Sequence, residues 1–558
     1  MTDYNISPAG PLPAAAGGRV LGRRTPPRWV WAFVAGLGLL GLLLNATDAF
    51  GDHAAANIAT WILTFLVVLT LLLWYLLLSG LSRRARLLLL AAVAAPVATF
   101  LILFRVEHVS GELVPSFAFR FGMKPDQLMA PPGEEAAGGN TPPVDLRTET
   151  PDDFPEFLGP GRKALGTSVE AVGRTANNSY SSPQTLLVWR HPIGAGWSGF
   201  SVRNGHAVTM EQRGDLEMVT CYNVQSGLLE WSHATRARYE TVSGGVGPRC
   251  TPTIADGRVF ALGATGRLLC LDGATGRSLW EKDLLEQFGT TPEEDLAAVA
   301  WGRAASPLVV GKLVIVPAGG KTEGPLVSLA AFDTGDGHLV WEGGERQIGY
   351  SSPVLACLCW VEQVLIVNED TASGHDVRTG RVLWEQQRDG HSNRDPNVSQ
   401  AVPIPPDCVF LSKGYGLGAM LLRLVPKSDG TFDTEVVWQN PKVMRTKFTN
   451  VTVLDHYVYG LSDGILECVD LATGQRMWKE GRYHHGQLLR AGEVLVVMSE
   501  SGEIVLVEAT PEWASANRVL NRFQALEGKS WNTLAASGRY LLVRNATEAA
   551  CYELGVGD

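Results

Sequence analysis

A short motif that recurs along the chain constrains the fold more strongly than any other feature of the sequence. It consists of an apolar run, Asp or Asn, three residues, Gly, three further residues and Trp, and its copies stand roughly 40 to 60 residues apart. An Asp side chain can hydrogen-bond the backbone of a tight turn, and Gly can adopt the positive φ that such a turn needs. Each copy therefore predicts a strand, a turn and a second strand, and repetition at this period indicates a β-propeller or a similar array. The copies are Asn223/Gly227/Trp231, Asp272/Gly276/Trp280, Asp333/Gly337/Trp341, Asp376/Gly380/Trp384 and Asp470/Gly474/Trp478.

The number of blades follows from the two ends of the repeat region. Trp189 stands in an outer-strand position with no blade before it, whereas the chain end supplies inner strands without an outer one. If the first strand completes the last blade, the ring closes and no open sheet edge remains. We therefore predict an all-β, eight-bladed propeller of four-stranded blades over residues 183–555. Seven of its blades carry a docking tryptophan: Trp189, Trp231, Trp280, Trp341, Trp384, Trp438 and Trp478.

The motif resembles the tryptophan-docking motif of the pyrroloquinoline-quinone (PQQ) repeat propellers, from about Pro183 to Leu554. That family includes quinoprotein alcohol dehydrogenases and the non-catalytic propeller subunit of the outer-membrane β-barrel assembly machinery. The resemblance implies the fold but no particular activity, because one fold hosts enzymes and scaffolds alike. For a dehydrogenase it would imply PQQ held between a Trp and a vicinal disulfide, a Ca²⁺ ion held by acid and amide side chains, and a catalytic Asp. The chain has no Cys-Cys pair, so we predict no cofactor and no catalytic residue.

Three apolar runs precede the propeller and predict three transmembrane helices within residues 29–104. The runs are 29–44, 58–81 and 87–104, of which the second is long enough to span a bilayer outright. Arginines lie before the first run and between the second and third, whereas the loop 45–57 has no Lys or Arg. By the positive-inside rule, the basic tail 1–28 is cytoplasmic and the propeller is extracytoplasmic, on the cell membrane. Residues 105–182 are expected to form a juxtamembrane segment and a Pro/Gly-rich linker.

Charge and cysteine usage exclude some classes of function. The net charge is −10, yet residues 1–120 carry nine Arg and only five acidic residues, so the rest of the chain is strongly acidic. Nucleic acid is therefore not an expected partner. Four of the eight cysteines occupy one equivalent place in the repeat and are expected to be small buried hydrophobes, although the sequence leaves disulfides open: Cys221, Cys270, Cys468 and Cys551. No CxxC pair is present, so no metal site is predicted.

Candidate ligand-binding residues begin the innermost strands, which line the channel mouth of a propeller. They are cationic, amide or aromatic, and converge on the axis of an otherwise acidic domain: Arg249, Arg303, Asn397, Lys447, His485 and Trp531. Such a cluster could bind a small anionic ligand. The alternative is that each side chain pairs with local acids and backbone carbonyls.

Two functions remain open from the sequence. The first is a membrane-anchored, extracytoplasmic propeller that acts as a non-catalytic scaffold for other extracytoplasmic proteins. The second is a PQQ-dependent and calcium-dependent quinoprotein dehydrogenase that passes electrons to the membrane. The compact blades, which leave little insertion to build a substrate chamber, favour the scaffold.

Overall fold

The structure is a computed structural model that describes residues 25–47, 52–129, 143–166, 184–321, 323–512 and 519–555. Most of the predicted basic tail and part of the predicted linker lie outside these residues. The chain divides into two compact units. The first comprises Met1–Ala49 and Ala55–Phe104, and the second comprises Phe50–Ala54 and Arg105–Asp558.

The first unit contains the three apolar helices that the sequence predicts. They are α1 (Arg28–Ala46), α2 (His53–Leu73), which continues through a π-helical turn at Trp74–Leu78, and α3 (Arg83–Leu103). Ser82 caps α3 by accepting a hydrogen bond from the backbone N–H of Ala85. Each of the three is long and apolar enough to cross a membrane.

The second unit contains eight antiparallel four-stranded sheets, which confirms the predicted eight-bladed propeller. Blades 1 to 4 consist of β4–β7 (Ser201–Arg203, His206–Arg213, Leu216–Asn223, Leu229–Arg236), β10–β13 (Thr253–Ala255, Arg258–Leu262, Arg267–Asp272, Ser278–Asp283), β14–β17 (Leu308–Val310, Leu313–Gly320, Leu326–Asp333, Leu339–Gly343) and β18–β21 (Val354–Leu358, Val361–Val367, Thr371–Asp376, Val382–Gln387). Blades 5 to 8 consist of β22–β25 (Val402–Ile404, Cys408–Lys413, Gly418–Pro426, Phe432–Asn440), β26–β29 (Thr452–Leu454, Tyr457–Ser462, Ile465–Asp470, Arg476–Arg482), β30–β33 (Gln487–Ala491, Val494–Met498, Glu503–Glu508, Val519–Gln524), and β34–β36 (Ala535–Ser537, Tyr540–Arg544, Glu548–Gly555) with β3 (Gln184–Pro192).

The ring closes as the sequence predicts, because β3 pairs with β36 and Trp189 lies opposite Cys551. The same Cys–Trp register recurs in three other blades: Cys221 with Trp231, Cys270 with Trp280 and Cys468 with Trp478. A small apolar side chain at this position leaves room for the neighbouring indole. All eight cysteines are free thiols in the structure, and these four are buried.

The docking tryptophans join neighbouring blades through one repeated contact. In six blades the indole Nε1–H donates to a backbone carbonyl in the turn of the next blade, at 2.7–3.0 Å: Trp189 to Val224, Trp231 to Gly273, Trp280 to Thr334, Trp341 to Val377, Trp438 to Leu471 and Trp478 to Thr510. Where the next turn carries the motif Gly, that residue lies flat against the indole. A Cβ at Gly337, for example, would lie 2.8 Å from the Trp280 ring.

Trp384 departs from this contact. Its Nε1–H donates to Gln363 Oε1 of its own blade at 2.6 Å. The next blade has a longer turn, between Pro426 and Phe432, and a Cβ at Gly430 would meet only the Arg381 guanidinium within 4 Å. The lengthened turn therefore removes the flat surface on which the indole would stack.

Two short hairpins, a short helix and one insertion lie outside the blades. Residues 104–119 form the hairpin β1 (Phe104–Val109) and β2 (Pro115–Phe119), which α4 (Pro125–Leu128) follows. A second short hairpin is formed by β8 (Glu240–Thr241) and β9 (Gly245–Val246). A helical insertion precedes blade 3 and consists of α5 (Leu284–Gln287) and α6 (Pro292–Ala298), the latter with a Thr291/Glu294 capping box.

The segment 143–166 lies across one face of the propeller. Phe154 forms a β-bridge with Val202 of blade 1, and Gly166 N–H donates to the Arg490 carbonyl of blade 7 at 2.8 Å. Between them the buried Arg162, in a 3₁₀ turn at Pro160–Arg162, donates to the carbonyls of Ser306 at 3.0 Å and Pro353 at 2.8 Å. Because these carbonyls belong to blades on the opposite side of the ring, the segment crosses the channel axis.

Candidate ligand site on the propeller axis

A cavity of about 410 Å³ lies within the second unit, where the innermost strands begin. Its walls come from residues just before β10, β18, β26 and β34, which is why it stands on the axis. The turn of the β1–β2 hairpin contributes Ser110, Gly111 and Leu113, and the segment 143–166 contributes Phe157. Aromatic rings dominate the remaining wall: Trp197, Trp301, Tyr350, Tyr415, Phe448 and Trp531.

Three of the six predicted site residues line this cavity, namely Arg249, Lys447 and Trp531. The other three are buried outside it. Arg303 is held by Asp295 of α6 at 2.8 Å, and the Asn397 side chain donates to the carbonyls of Glu369 and Arg388, each at 2.9 Å. His485 packs against the Phe448 ring, and burial lowers its pKa to about 3. For Arg303 and Asn397 the structure has the local pairing that the sequence left as the alternative.

The two predicted cations in the cavity wall have internal partners. The Arg249 guanidinium lies 4.2 Å from the centroid of the Tyr239 ring and donates to the Gly244 carbonyl at 2.5 Å. Burial lowers the pKa of Arg249 to about 10. The ammonium group of Lys447 lies 2.7 Å from the Asp52 carboxylate. Both side chains therefore place positive charge in the wall. Their hydrogen-bond donors are largely occupied by these internal partners.

Arg394 also lines the cavity, although it is not among the six residues predicted from the sequence. It lies in the long connection between β21 and β22, not at a strand start, so the repeat carried no signal for it. Asn393 fixes this loop to the helical insertion, because its Oδ1 accepts from the Ala300 N–H at 3.0 Å. Among the described residues, the Arg394 guanidinium has no hydrogen-bond or ion-pair partner, and the residue is exposed.

Tyr415 is a second wall residue that the sequence analysis did not select. It occupies the β23–β24 turn with φ of 56°, a conformation that is costly for a residue with a side chain. Burial, together with nearby acids that include Asp52 and Asp395, raises its pKa. No hydrogen-bond partner for its hydroxyl is found in the part of the chain that the structure describes. The turn therefore holds a phenol against the cavity with its donor unused.

The electrostatics of the wall are positive although the chain is acidic. Three cationic side chains line the cavity, and no Asp or Glu is present among the described residues that line it. A fourth cation, Lys529, lies next to the wall with its Nζ 3.9 Å from the Trp531 ring and 4.8 Å from the Trp197 ring. Burial lowers the pKa of Lys529 to about 8.

The residues of this wall do not fit the calcium–quinone site of the dehydrogenases. Calcium takes six to eight oxygen ligands, which in proteins include Asp and Glu carboxylates. The described wall offers hydroxyl and amide groups but no carboxylate, and the sequence has no vicinal cysteine pair.

Two clusters of described residues elsewhere have side chains of the kinds that bind metals: Asp333, Asp336 and His338 on a turn of blade 3, and His206, Cys221 and Glu230 in blade 1. His206 Nδ1 lies 2.6 Å from Glu230 Oε2, and Cys221 Sγ lies 3.6 Å from the same oxygen. The backbone N–H of Asp145 faces the other nitrogen of His206 at 3.5 Å. The imidazole thus has a partner on each nitrogen without an ion, and these contacts account for the blade 1 cluster.

Comparison with known proteins places the repeat region in a described family. The family profile described as "Outer membrane protein assembly factor BamB" matches residues 187–480. The outer membrane protein assembly factor BamB of Shewanella oneidensis is 26% identical over 287 residues, which are 48% of this chain and 66% of that protein. The protein of the same name from Yersinia pestis is 25% identical over 317 residues, which are 54% of this chain and 69% of that protein.

A solved structure extends the comparison to the fold. A europium-containing methanol dehydrogenase superposes with a TM-score of 0.54 at 11% sequence identity, covering 73% of this chain and 98% of that chain. At this identity the similarity concerns the fold alone.

Proposed function

Since this chain belongs to the PQQ-repeat propeller family described as outer membrane protein assembly factor BamB, we propose that it is a membrane-anchored, extracytoplasmic scaffold without catalytic activity. Its propeller binds or helps to assemble other extracytoplasmic proteins. The observation that carries this proposal is the axial cavity, where a dehydrogenase of this fold would need metal ligands. That wall has no carboxylate among its described residues.

The N-terminal helices support the anchoring part of the proposal. Three helices are long and apolar enough to cross a membrane. With the arginine-rich tail inside, three spans put the loop between α1 and α2 on the same side as the propeller. Asp52, the described residue immediately before α2, belongs to the same compact unit as the propeller and pairs with Lys447 there. This grouping supports three spans, and the arginine distribution supports a cytoplasmic N-terminus and an extracytoplasmic propeller on the cell membrane.

The dehydrogenase alternative rests on the shared fold. Its test is to reconstitute the full-length chain, in lipid nanodiscs, with PQQ and Ca²⁺. We expect no stoichiometric cofactor absorbance and no dye reduction with alcohols or sugars above that of empty nanodiscs. Turnover that requires both PQQ and Ca²⁺ would overturn the scaffold proposal.

A second measurement tests the scaffold role itself. The chain is extracted from its native membrane in mild detergent, and its mass is determined by native electrophoresis and light scattering. A scaffold should migrate as a complex that contains stoichiometric amounts of at least one other extracytoplasmic protein. A chain that is alone at every detergent concentration contradicts the proposal.

A further inference from the structure

The axial cavity has the two halves of a site for an amphipathic ligand. Its apolar half is rigid because the rings support one another. Trp301 stacks on Tyr350 with centroids 5.3 Å apart, and Phe448 lies 4.7 Å from Trp531. An apolar body that enters such a preformed wall gains contacts without ordering the protein first.

The polar half is supplied by groups that have no partner among the described residues. The Arg394 guanidinium is a planar fork of donors, which matches a carboxylate or a sulfonate, and the Tyr415 hydroxyl adds a further donor. Both side chains line the cavity. The contact between Asn393 and Ala300 fixes the backbone of the loop next to Arg394, and Tyr415 lies in the tight β23–β24 turn.

The cations of the wall set the sign of the ligand's charge. Arg249 is bound by backbone carbonyls and Lys447 by Asp52, so each has its own partner. Arg394 is the one wall cation that has none in the described residues. The carbonyl partners of Arg249 leave its charge in place, so the wall favours an anion, and an anionic head group would supply the acceptors that the Arg394 donors lack. A Ca²⁺-bound cofactor would instead need carboxylates that the described wall does not offer.

We infer that the axial cavity binds a small organic acid with one anionic head group and an aromatic or aliphatic body. The head group contacts Arg394 and Tyr415, and the body lies among the tryptophan, tyrosine and phenylalanine rings. This inference goes beyond the scaffold role and does not depend on it. The scaffold could bind proteins with the cavity empty, and the cavity could bind an acid in a chain that has no protein partner.

The test uses a matched pair of probes on the full-length chain in nanodiscs. Isothermal titration calorimetry with 2-naphthoate, corrected with empty nanodiscs, should give saturable binding of one molecule per chain. The neutral isostere 2-naphthamide should bind at least tenfold more weakly, because it lacks the charge that Arg394 recognises. Non-saturable heats, or equal affinity for the two probes, would overturn the inference.

Three variants locate the site. Arg394→Gln should weaken 2-naphthoate at least tenfold and leave 2-naphthamide unchanged, so the preference for the anion disappears. Tyr415→Phe should weaken 2-naphthoate several-fold. Arg378→Gln is the matched control, because Arg378 is an exposed arginine of the β20–β21 turn that does not line the cavity. Binding that Arg394→Gln and Arg378→Gln affect equally would contradict the assignment, provided that both variants melt at the wild-type temperature.

Discussion

The docking tryptophan and the motif glycine act as a pair that spans two blades. Trp280 is buried to 9% exposure, donates to Thr334 at 3.0 Å, and stacks against Gly337 of the following turn. Any side chain at that glycine would occupy the place of the indole. Its φ of 73° also disfavours other residues. The motif therefore stabilises the interface between two blades as well as the turn within one.

Trp280→Ala should lower the free energy of unfolding by about 3–5 kcal/mol, because it leaves a cavity between two blades and an unpaired carbonyl. Thermal melting of the full-length chain measures this effect. Trp360→Ala is the control, since Trp360 is 92% exposed at the β18–β19 turn and its removal should change stability by less than about 0.5 kcal/mol. Equal melting temperatures for the two variants would mean that Trp280 is not docked.

Glu217 is a buried acid whose titration should be measurable. Its carboxyl is 3% exposed, accepts from the Ala264 N–H at 3.1 Å, and has a pKa raised to about 7, chiefly by burial. Because the unfolded chain loses this proton near the ordinary pKa of 4.5, the folded state binds more protons between that pH and 7. Stability should therefore fall across this window as the pH rises, by up to about 3 kcal/mol.

Glu217→Gln should remove this contribution, because the amide keeps an acceptor for Ala264 but does not ionise. Chemical denaturation of wild type and variant between pH 4.5 and 7.5 tests it. The variant should lose less stability than the wild type as the pH rises. Parallel curves for the two proteins would show that the carboxyl does not carry a raised pKa.

At the scale of elements, the β1–β2 hairpin is held on the propeller mainly by polar contacts. Gly111 N–H donates to Glu500 at 2.7 Å, and the Val109 carbonyl accepts from Lys529 at 3.1 Å. Glu112 lies 3.2 Å from Arg482 and 3.4 Å from His484. The hydrogen bond from His484 is the largest cause that lowers the pKa of Glu112 to about 2, and the same bond raises the pKa of His484.

The hairpin contact should therefore weaken at high pH. A histidine with a raised folded-state pKa stabilises fully below its unfolded pKa of about 6.5, and this contribution is lost as the pH rises through the folded value. Hydrogen exchange of residues 109–113, corrected for intrinsic rates, should show less protection at pH 9 than at pH 6. His484→Gln should reduce this difference, whereas His338→Gln, on a distant exposed turn, should not. An unchanged pH dependence in His484→Gln would contradict the assignment.

At the scale of the whole molecule, the arginine distribution predicts the membrane topology. A reporter enzyme that is active only outside the cytoplasm should work when fused after Asp558 and fail when inserted within Arg83–Arg86. A second reporter that is active only in the cytoplasm should give the opposite pattern, which controls for expression. If the two reporters exchange their patterns, the orientation and the compartment are both wrong.

The sequence alone determined the architecture of this protein. A motif repeated at fixed spacing specifies a strand, a turn and a second strand each time, because the turn needs Gly and the blade interface needs Trp. The first strand, which contains Trp189, has no blade before it, and the last strands near Cys551 lack an outer strand. These two observations were enough to predict ring closure. Apolar runs of sufficient length likewise predict helices without any tertiary contact. All of these signals are local or periodic.

The set of side chains that meet on the axis depends on tertiary contacts. Comparable places in the repeat are occupied by Arg249, Arg303 and Lys447. However, Arg303 forms an ion pair with Asp295 of an insertion, and Lys447 forms one with Asp52, which is distant in the sequence. Arg394 lies in an irregular loop that the repeat does not describe, and its position depends on the Asn393 contact with Ala300. Pairing between groups distant in sequence follows from the closed ring and its covering segments. The spacing of residues within a single blade therefore does not predict this pairing.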